Sequence, residues 1–280
     1  MNPEPRHEEE YTERQVEAAH RVLIDIAQVL ASFRDCLVIV GGWAPDLLLE
    51  GAEEAHIGSI DVDIALDADK LNDGRYAEIL KLLLDTGRYS KGEKDFQFVI
   101  DVDLKDGGTP VHVDVDFLAP KDAKLKRHAK KRFKDFRVLQ VEACNVAFRA
   151  PEEVTLSGEN VRGATNTVRV RVVSMQDFLV MKPYALDGRD KPKDAYDLCY
   201  SLEHAIGGME AVAAAWRNRL GEKEIVTAIK ILQEKFTDVN AFGPQQLVEF
   251  HASRDEDEQK RQARRAFELV QKFISLLQSN

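Results

Sequence analysis

"CLVIVGGWAPDLLLEGAEEAHIGSIDVDIAL", residues 36–66, contains two apolar runs, and each is interrupted by residues that an ordinary buried strand has no use for. The first, Cys36–Val40, stops at the pair Gly41 and Gly42 and passes into "WAPDLLLEG", which reads as a helix closed by Gly51. The second, at 59–66, carries Asp61 and Asp63 among Ile60, Val62, Ile64 and Leu66. Side chains alternate along a strand, so the two acids share one face while Val62 and Ile64 pack on the other. Two carboxylates about 7 Å apart on a half-buried sheet repel each other and are costly to desolvate. A divalent cation relieves both penalties. Mg2+ suits the position, because it is hard, takes oxygen ligands and binds through one or two carboxylates plus substrate phosphates. The strand–Gly–Gly–helix junction presents backbone N–H groups where phosphate is favourably held, and the glycines let a triphosphate approach the main chain. Junction and acids together predict a nucleotide-plus-metal site.

Outward from this stretch the acidic alternation recurs. "VHVDVDF" puts His112, Asp114 and Asp116 on one face, and "VIDVDL" repeats the pattern at Asp101 and Asp103. These fall in predicted strands at 96–104 and 110–118, separated by the turn "KDGGT". Residues 12–33 have Val16, Ala19, Leu23, Ile26, Leu30 and Phe33 at helical spacing, and 70–87 reads as a second helix. Residues 137–173 alternate as strands, with "SGEN" and "RGATN" as turns. From Ser174 onward the pattern is helical, with helices expected at 174–186, 193–205, 208–219, 222–235, 244–252 and 256–278. The expected fold is α/β (α+β), a mixed sheet flanked by helices, followed by an all-helical C-terminal region. The expected domains are 1–173 and 174–280.

Composition narrows the class. An apolar share of 44% in 280 residues allows a real core, yet no run such as "CLVIVGGWA" nears the roughly 20 residues of a membrane span. The N-terminal "MNPEPRHEEEYTERQ" is polar and acidic, unlike a secretory signal or transit peptide. Cys36, Cys144 and Cys199 are far apart without CxxC spacing, which argues against a disulfide framework or a zinc site and for a reducing cytoplasm. Net charge is −10, but residues 121–137, "KDAKLKRHAKKRFKDFR", hold nine Lys/Arg against two Asp; that segment is +7 and the remainder −17.

The motifs resemble a known superfamily. Gly41-Gly42-Trp43-Ala44, then Asp61-Val62-Asp63, then a third acid on a later strand, are similar to polymerase-β-type nucleotidyltransferases. "GGWAPDLLL" is similar to the opening motif of aminoglycoside- and lincosamide-type adenylyltransferases, and residues 174–202 resemble the AbiEii family of nucleotidyltransferase toxins. That family shows a lysine-bearing helix, a basic turn and an R/K-D-x-x-D-L helix; Lys182, Arg189, Lys193, Asp194 and Asp197 stand at the matching places. The chain departs in having Trp43 where the superfamily has a hydroxyl residue, and in a longer interval from Gly42 to Asp61.

The resemblance implies transfer of an NMP from an NTP, the co-substrate, to a hydroxyl. Two Mg2+ ions about 3.5–4 Å apart would be held by Asp61, Asp63 and Asp116, with Asp114 as the alternative third ligand. Gly41, Gly42, Trp43, Lys182 and Asp194 are the candidate nucleotide-binding residues. Lys182 would meet the β/γ-phosphates as a point charge, contributed with Asp194 by the helical domain. An AbiEii-like toxin would modify RNA such as tRNA through the basic segment 121–137 and would have an antitoxin partner. The competing readings are an aminoglycoside-type adenylyltransferase and a catalytically silent nucleotide- or partner-binding module. Intact Asp61, Asp63, Asp116 and Lys182 weigh against the silent module, since a retired site has no reason to retain buried like charges.

Overall fold

Alternation in the acidic strands is what builds the sheet. The computed structural model describes residues 4–71, 74–123 and 137–278, so most of the basic segment proposed as an RNA contact lies outside the described residues. Eight strands form one mixed sheet among the described residues: β1 (Leu37–Val40), β2 (Val62–Leu66), β3 (Ser90–Lys91), β4 (Gln97–Val102), β5 (Val111–Pro120), β6 (Leu139–Val141), β7 (Glu152–Glu159) and β8 (Thr165–Val172). The order is β3-β4-β5-β2-β1-β8-β7, with β6 paired to β5 off this path. β2 runs parallel to β5 and antiparallel to β1, and β4 runs antiparallel to β5.

One face of this sheet is apolar. Val62, Ile64, Val113, Val115, Phe117 and Phe98 are all fully buried, and Phe98 meets Phe117 edge-on at 5.6 Å. Helix α1 (Glu13–Val29) packs against β2, β5, β7 and β8. Its amphipathic spacing buries Val22, Leu23 and Ile26. Thr12 caps its start by accepting from the Gln15 amide, and Gln15 reaches back to the Thr12 N–H. The helix ends at Val29, before the predicted 33; a 3-10 turn over Ala31–Cys36 carries Phe33 into the core instead. The opposite face of β4 and β5 carries the polar set of Gln97, Asp101, His112, Asp114 and Asp116. An antiparallel pair with one face packed and one solvated produces this alternation.

Several elements differ from the sequence reading. β3 was not expected, and the helix expected over 70–87 is α3 (Arg75–Asp85). "SGEN" is strand rather than turn up to Glu159, because Gly158 lies where a Cβ would come within 3.0 Å of Ile24 Cδ1; here glycine marks a close approach of α1. The hairpin turn falls at Asn160–Ala164, where the Asn160 N–H donates to Ala164 O.

The chain divides into two compact units: residues 12–47 with 58–174, and residues 1–11 with 48–57 and 175–280. The division near 174 is the one legible as a change of pattern, but 48–57 goes with the helices rather than with residues 1–173. Three side chains explain this. The Tyr200 hydroxyl donates to Glu54 O (2.6 Å), the Tyr196 hydroxyl accepts from the Ile57 N–H (3.2 Å), and the His56 ring meets Asp197 (3.0 Å). The helical unit comprises α4 (Met175–Gly188), α5 (Lys193–His204), α6 (Gly208–Arg217), α7 (Lys223–Lys235), α8 (Phe242–His251) and α9 (Glu256–Gln278), with Trp216, Phe236, Phe250 and Phe273 fully buried. No described helix is long and apolar enough to cross a membrane.

Candidate active site

β2 and β5 lie side by side in register, and this brings acids from separate parts of the chain together. Asp63 is directly level with Asp116. One step back, Val62 is level with Val115, which places Asp61 beside Asp114. On the far side of β5, Gln97 of β4 is level with Asp116, and Val99 with Asp114. Two rows of side chains therefore cross three strands, with four carboxylates at their centre.

At the β1 edge of these rows stands the glycine junction. Val40 pairs with Asp63, and Gly41 follows in a left-handed conformation (φ +68°). A Cβ at Gly41 would fall 2.1 Å from Asp63 Oδ2, so the bare backbone here is a steric requirement of the acid beside it. Helix α2 (Trp43–Leu48) begins immediately after, with the Ala44 N–H donating to Gly41 O at 3.1 Å. Trp43 is 1% exposed, its indole N–H donates to Asp61 O at 2.8 Å, and its ring lies 5.7 Å from that of His20. The structure thus spends the Trp43 ring on the core and on the Asp61 main chain, rather than offering it to a nucleotide base.

Each of two carboxylates has a dedicated neutral donor that the sequence reading missed. Ser59 Oγ donates to Asp61 Oδ1 at 2.6 Å, and Gln97 Nε2 donates to Asp116 Oδ1 at 3.1 Å. Gln97 is 4% exposed and could have been found as the one polar residue of the otherwise apolar run "FQFVI". Burial, then the charge of Asp61, pushes the Asp116 carboxyl up to about 6, against the opposing pull of Gln97 and Lys94. Asp114 is also raised, by burial and by Asp61, with His112 opposing. Both shifts come first from burial, which disfavours the charged form, with the charge of Asp61 adding to it.

The oxygen-only donor set and its excess negative charge fit Mg2+. No group of three or more His, Cys, Asp or Glu side chains is gathered as a metal centre among the described residues.

The remaining acids of this sheet have other partners. His112 is half exposed, with Nδ1 2.8 Å from Asp101 Oδ1 and Nε2 3.5 Å from Asp114 Oδ1. Asp103 pairs with Lys105 on the surface.

Lys182 and Asp194 lie in the helical unit, in a buried ionic cluster. Lys182 is 5% exposed; its ammonium donates to Asp194 Oδ1 (2.8 Å) and Asp197 Oδ2 (2.6 Å). Lys193 donates to Asp197 Oδ1 (2.7 Å), and Arg189 clamps both oxygens of Asp194 (2.7 and 3.0 Å). Arg189 thus pairs with Asp194. Burial alone would lower the Lys182 ammonium, but the two carboxylates outweigh it and hold it raised. The same cations hold Asp194 and Asp197 below the usual carboxylate range despite burial. His56 completes the cluster as a neutral ring, pushed down to about 4 by burial and by Lys193. Lys182 is therefore paired with two acids of its own unit, each shared with a second cation, and in this chain the spacing of Lys182, Asp194 and Asp197 packs α4 against α5.

Comparison with known proteins shows the family. The model of the nucleotidyl transferase AbiEii toxin family, of type IV toxin–antitoxin systems, matches residues 26–279. Among solved structures, an antigenic nucleotidyltransferase-like protein of Paracoccidioides brasiliensis is similar at 17% identity and a TM-score of 0.42, over 79% of this chain and 90% of that one. No curated protein matches the sequence.

Proposed function

The chain belongs to the AbiEii family of nucleotidyl transferase toxins, and from that premise we propose that this nucleotidyltransferase moves an NMP from an NTP to a hydroxyl of RNA, using Mg2+ held at the Asp61, Asp63 and Asp116 face. The observation that carries this reading is the register of Asp63 against Asp116, one residue from the glycine that Asp63 keeps bare. Nucleotidyl transfer asks for positioning and charge neutralisation more than covalent chemistry. Bound Mg2+ would supply the positive charge that offsets the triphosphate and the site's own acids.

The protein's residues divide the other tasks. The Gly41–Gly42 junction lets phosphate oxygens approach main-chain N–H groups. Trp43 and Ser59 fix Asp61 through its main chain and its carboxylate respectively. Gln97 donates to Oδ1 of Asp116 and so fixes the orientation of that carboxylate. Asp116 would hold the Mg2+ that activates the acceptor hydroxyl, and its position beside Asp63 would put it next to that proton. Type IV membership supports an antitoxin as the regulatory partner, and the proposed NTP and RNA substrates make the cytoplasm the expected compartment.

Incubation with Mg2+, each labelled NTP in turn and total RNA tests the proposal. Label should enter RNA with the wild-type protein and not with Asp63→Asn. Label passing instead to an added aminoglycoside would move the activity to the small-molecule class, and no label on any acceptor would sink the enzymatic reading.

A further inference from the structure

The carboxylate rows have two flanks, and the phosphate-binding glycines occupy one of them. β1, with Gly41 at its end, adjoins β2 on one side; β4 adjoins β5 on the other. Gln97 begins β4 level with Asp116, and the chain just before it forms a tight turn. The Gly92 N–H donates to Gln97 O (2.8 Å), and the Gln97 N–H donates to Lys94 O (3.2 Å). Gly92 is required there, since a Cβ would fall 2.7 Å from the Gln97 side chain that holds Asp116. The turn therefore rests directly on the positioning contact of the third acid.

Lys94 is the exposed cation of this turn. Its ammonium stands 5.6 Å from the centroid of the Phe96 ring, and it has no carboxylate within ion-pairing distance among the described residues. The neighbouring cation, Lys91, is paired to Asp95 at 2.9 Å. The Lys94 charge acts through space on both Asp114 and Asp116, while Glu93 opposes it at Asp114. Arg137, the described end of the basic segment, is tied to the same turn: its N–H donates to Asp95 O (2.8 Å), and its carbonyl accepts from the Tyr76 hydroxyl (3.0 Å).

Resting on the reading of the site given above, the geometry points to Lys94 as a contact for the acceptor: its ammonium, on the β4 flank opposite the glycine junction, binds the phosphodiester next to the hydroxyl presented to Asp116. The flank matters because the nucleotide's phosphates are accounted for at β1, which leaves the β4 side for the second substrate. A cation at this flank attracts a polyanionic acceptor and repels a cationic aminoglycoside. Lys94 would thus contribute to acceptor selection as well as affinity.

The test compares Lys94→Met and Lys94→Arg with wild type, using a fluorescein-labelled single-stranded oligoribonucleotide for binding and a labelled NTP for transfer. Melting temperatures first establish that each variant is folded, as an exposed turn lysine allows. In Lys94→Met the RNA dissociation constant should rise roughly fourfold at physiological ionic strength, and the slope of log K against log salt should flatten by about 0.7, the amount one single-strand phosphate contact carries. The KM for NTP should stay unchanged, and Lys94→Arg should restore both RNA affinity and slope. Wild-type RNA affinity and slope in Lys94→Met would overturn the assignment, as would a loss confined to NTP KM, which would put the lysine on the nucleotide. If the wild-type protein binds no RNA, or labels only a cationic small molecule, the RNA acceptor and the lysine assignment fall together.

Discussion

A carboxylate raised by its surroundings stores instability that function uses. Asp116 ionises in the fold only above about pH 6, whereas an unfolded aspartate does so near 3.8. Between those values the native state holds a proton that the unfolded state has released, so stability falls as pH rises through this window. Above it, the ionised site costs on the order of 1–3 kcal/mol. In Mg2+-free buffer Asp116→Asn should therefore raise the melting temperature at pH 7, and at a pH below the window the gain should vanish; with Mg2+ present the variant should transfer no nucleotide. A variant no more stable than wild type at pH 7 would show that the acid is not crowded. Gly41→Ala is the converse case, since it forces an L-residue to φ +68° and drives a methyl into Asp63. It should lower stability by about 1–2 kcal/mol and reduce kcat by roughly 100-fold or more, because misplacement of about 1 Å at a catalytic group has that effect. Gln97→Leu should keep the fold but lower kcat with little change in NTP KM, since the contact it removes orients Asp116 alone.

Single elements are held by charge as well as by apolar packing. α4 and α5 meet through Lys182, Lys193, Asp194 and Asp197, each 5% exposed or less, and His56 brings the 48–57 segment onto the same cluster. Removing one member strands its partner, which typically costs about 3–5 kcal/mol; Asp197→Ala should accordingly prevent folding of the helical unit, seen as lost protection in hydrogen exchange over α4 and α5. His56 gives this cluster a pH response. Its folded value near 4 lies below the unfolded 6.5, so its contribution is intact above 6.5 and is lost as pH falls toward 4, by on the order of 2–3 kcal/mol in total. Thermal melts across that window should show a steeper acid loss in wild type than in His56→Asn, and parallel curves would refute it. The helices and the acidic strands were legible from apolar spacing, because that spacing is set by which face meets the core. The ends of elements were less so: Phe33 continues the helical pattern of α1 but is buried from a 3-10 turn, and Gly158 looks like a turn residue until α1 is seen against it.

For the whole molecule, charge is distributed against its own average. The chain is −10 overall, yet residues 121–137 are +7 and the rest −17. RNA affinity that depends on this segment should fall steeply with salt and collapse when its lysines and arginines are replaced by glutamine, with NTP affinity preserved; salt-independent binding would exclude the segment. The sequence by itself determined the family, the glycine junction, the acidic strands and the change to helices near 174, because each is a local pattern of spacing and residue type. It also nominated Lys182 and Asp194 for the nucleotide. Only the tertiary structure showed that the Lys182 ammonium is matched by two buried acids, that Trp43 supports Asp61 from the core, and that Asp63 lies level with Asp116. Those facts depend on register and burial, which are fixed by elements far apart in the chain, and no local spacing encodes which strand lies beside which or which charge finds a partner.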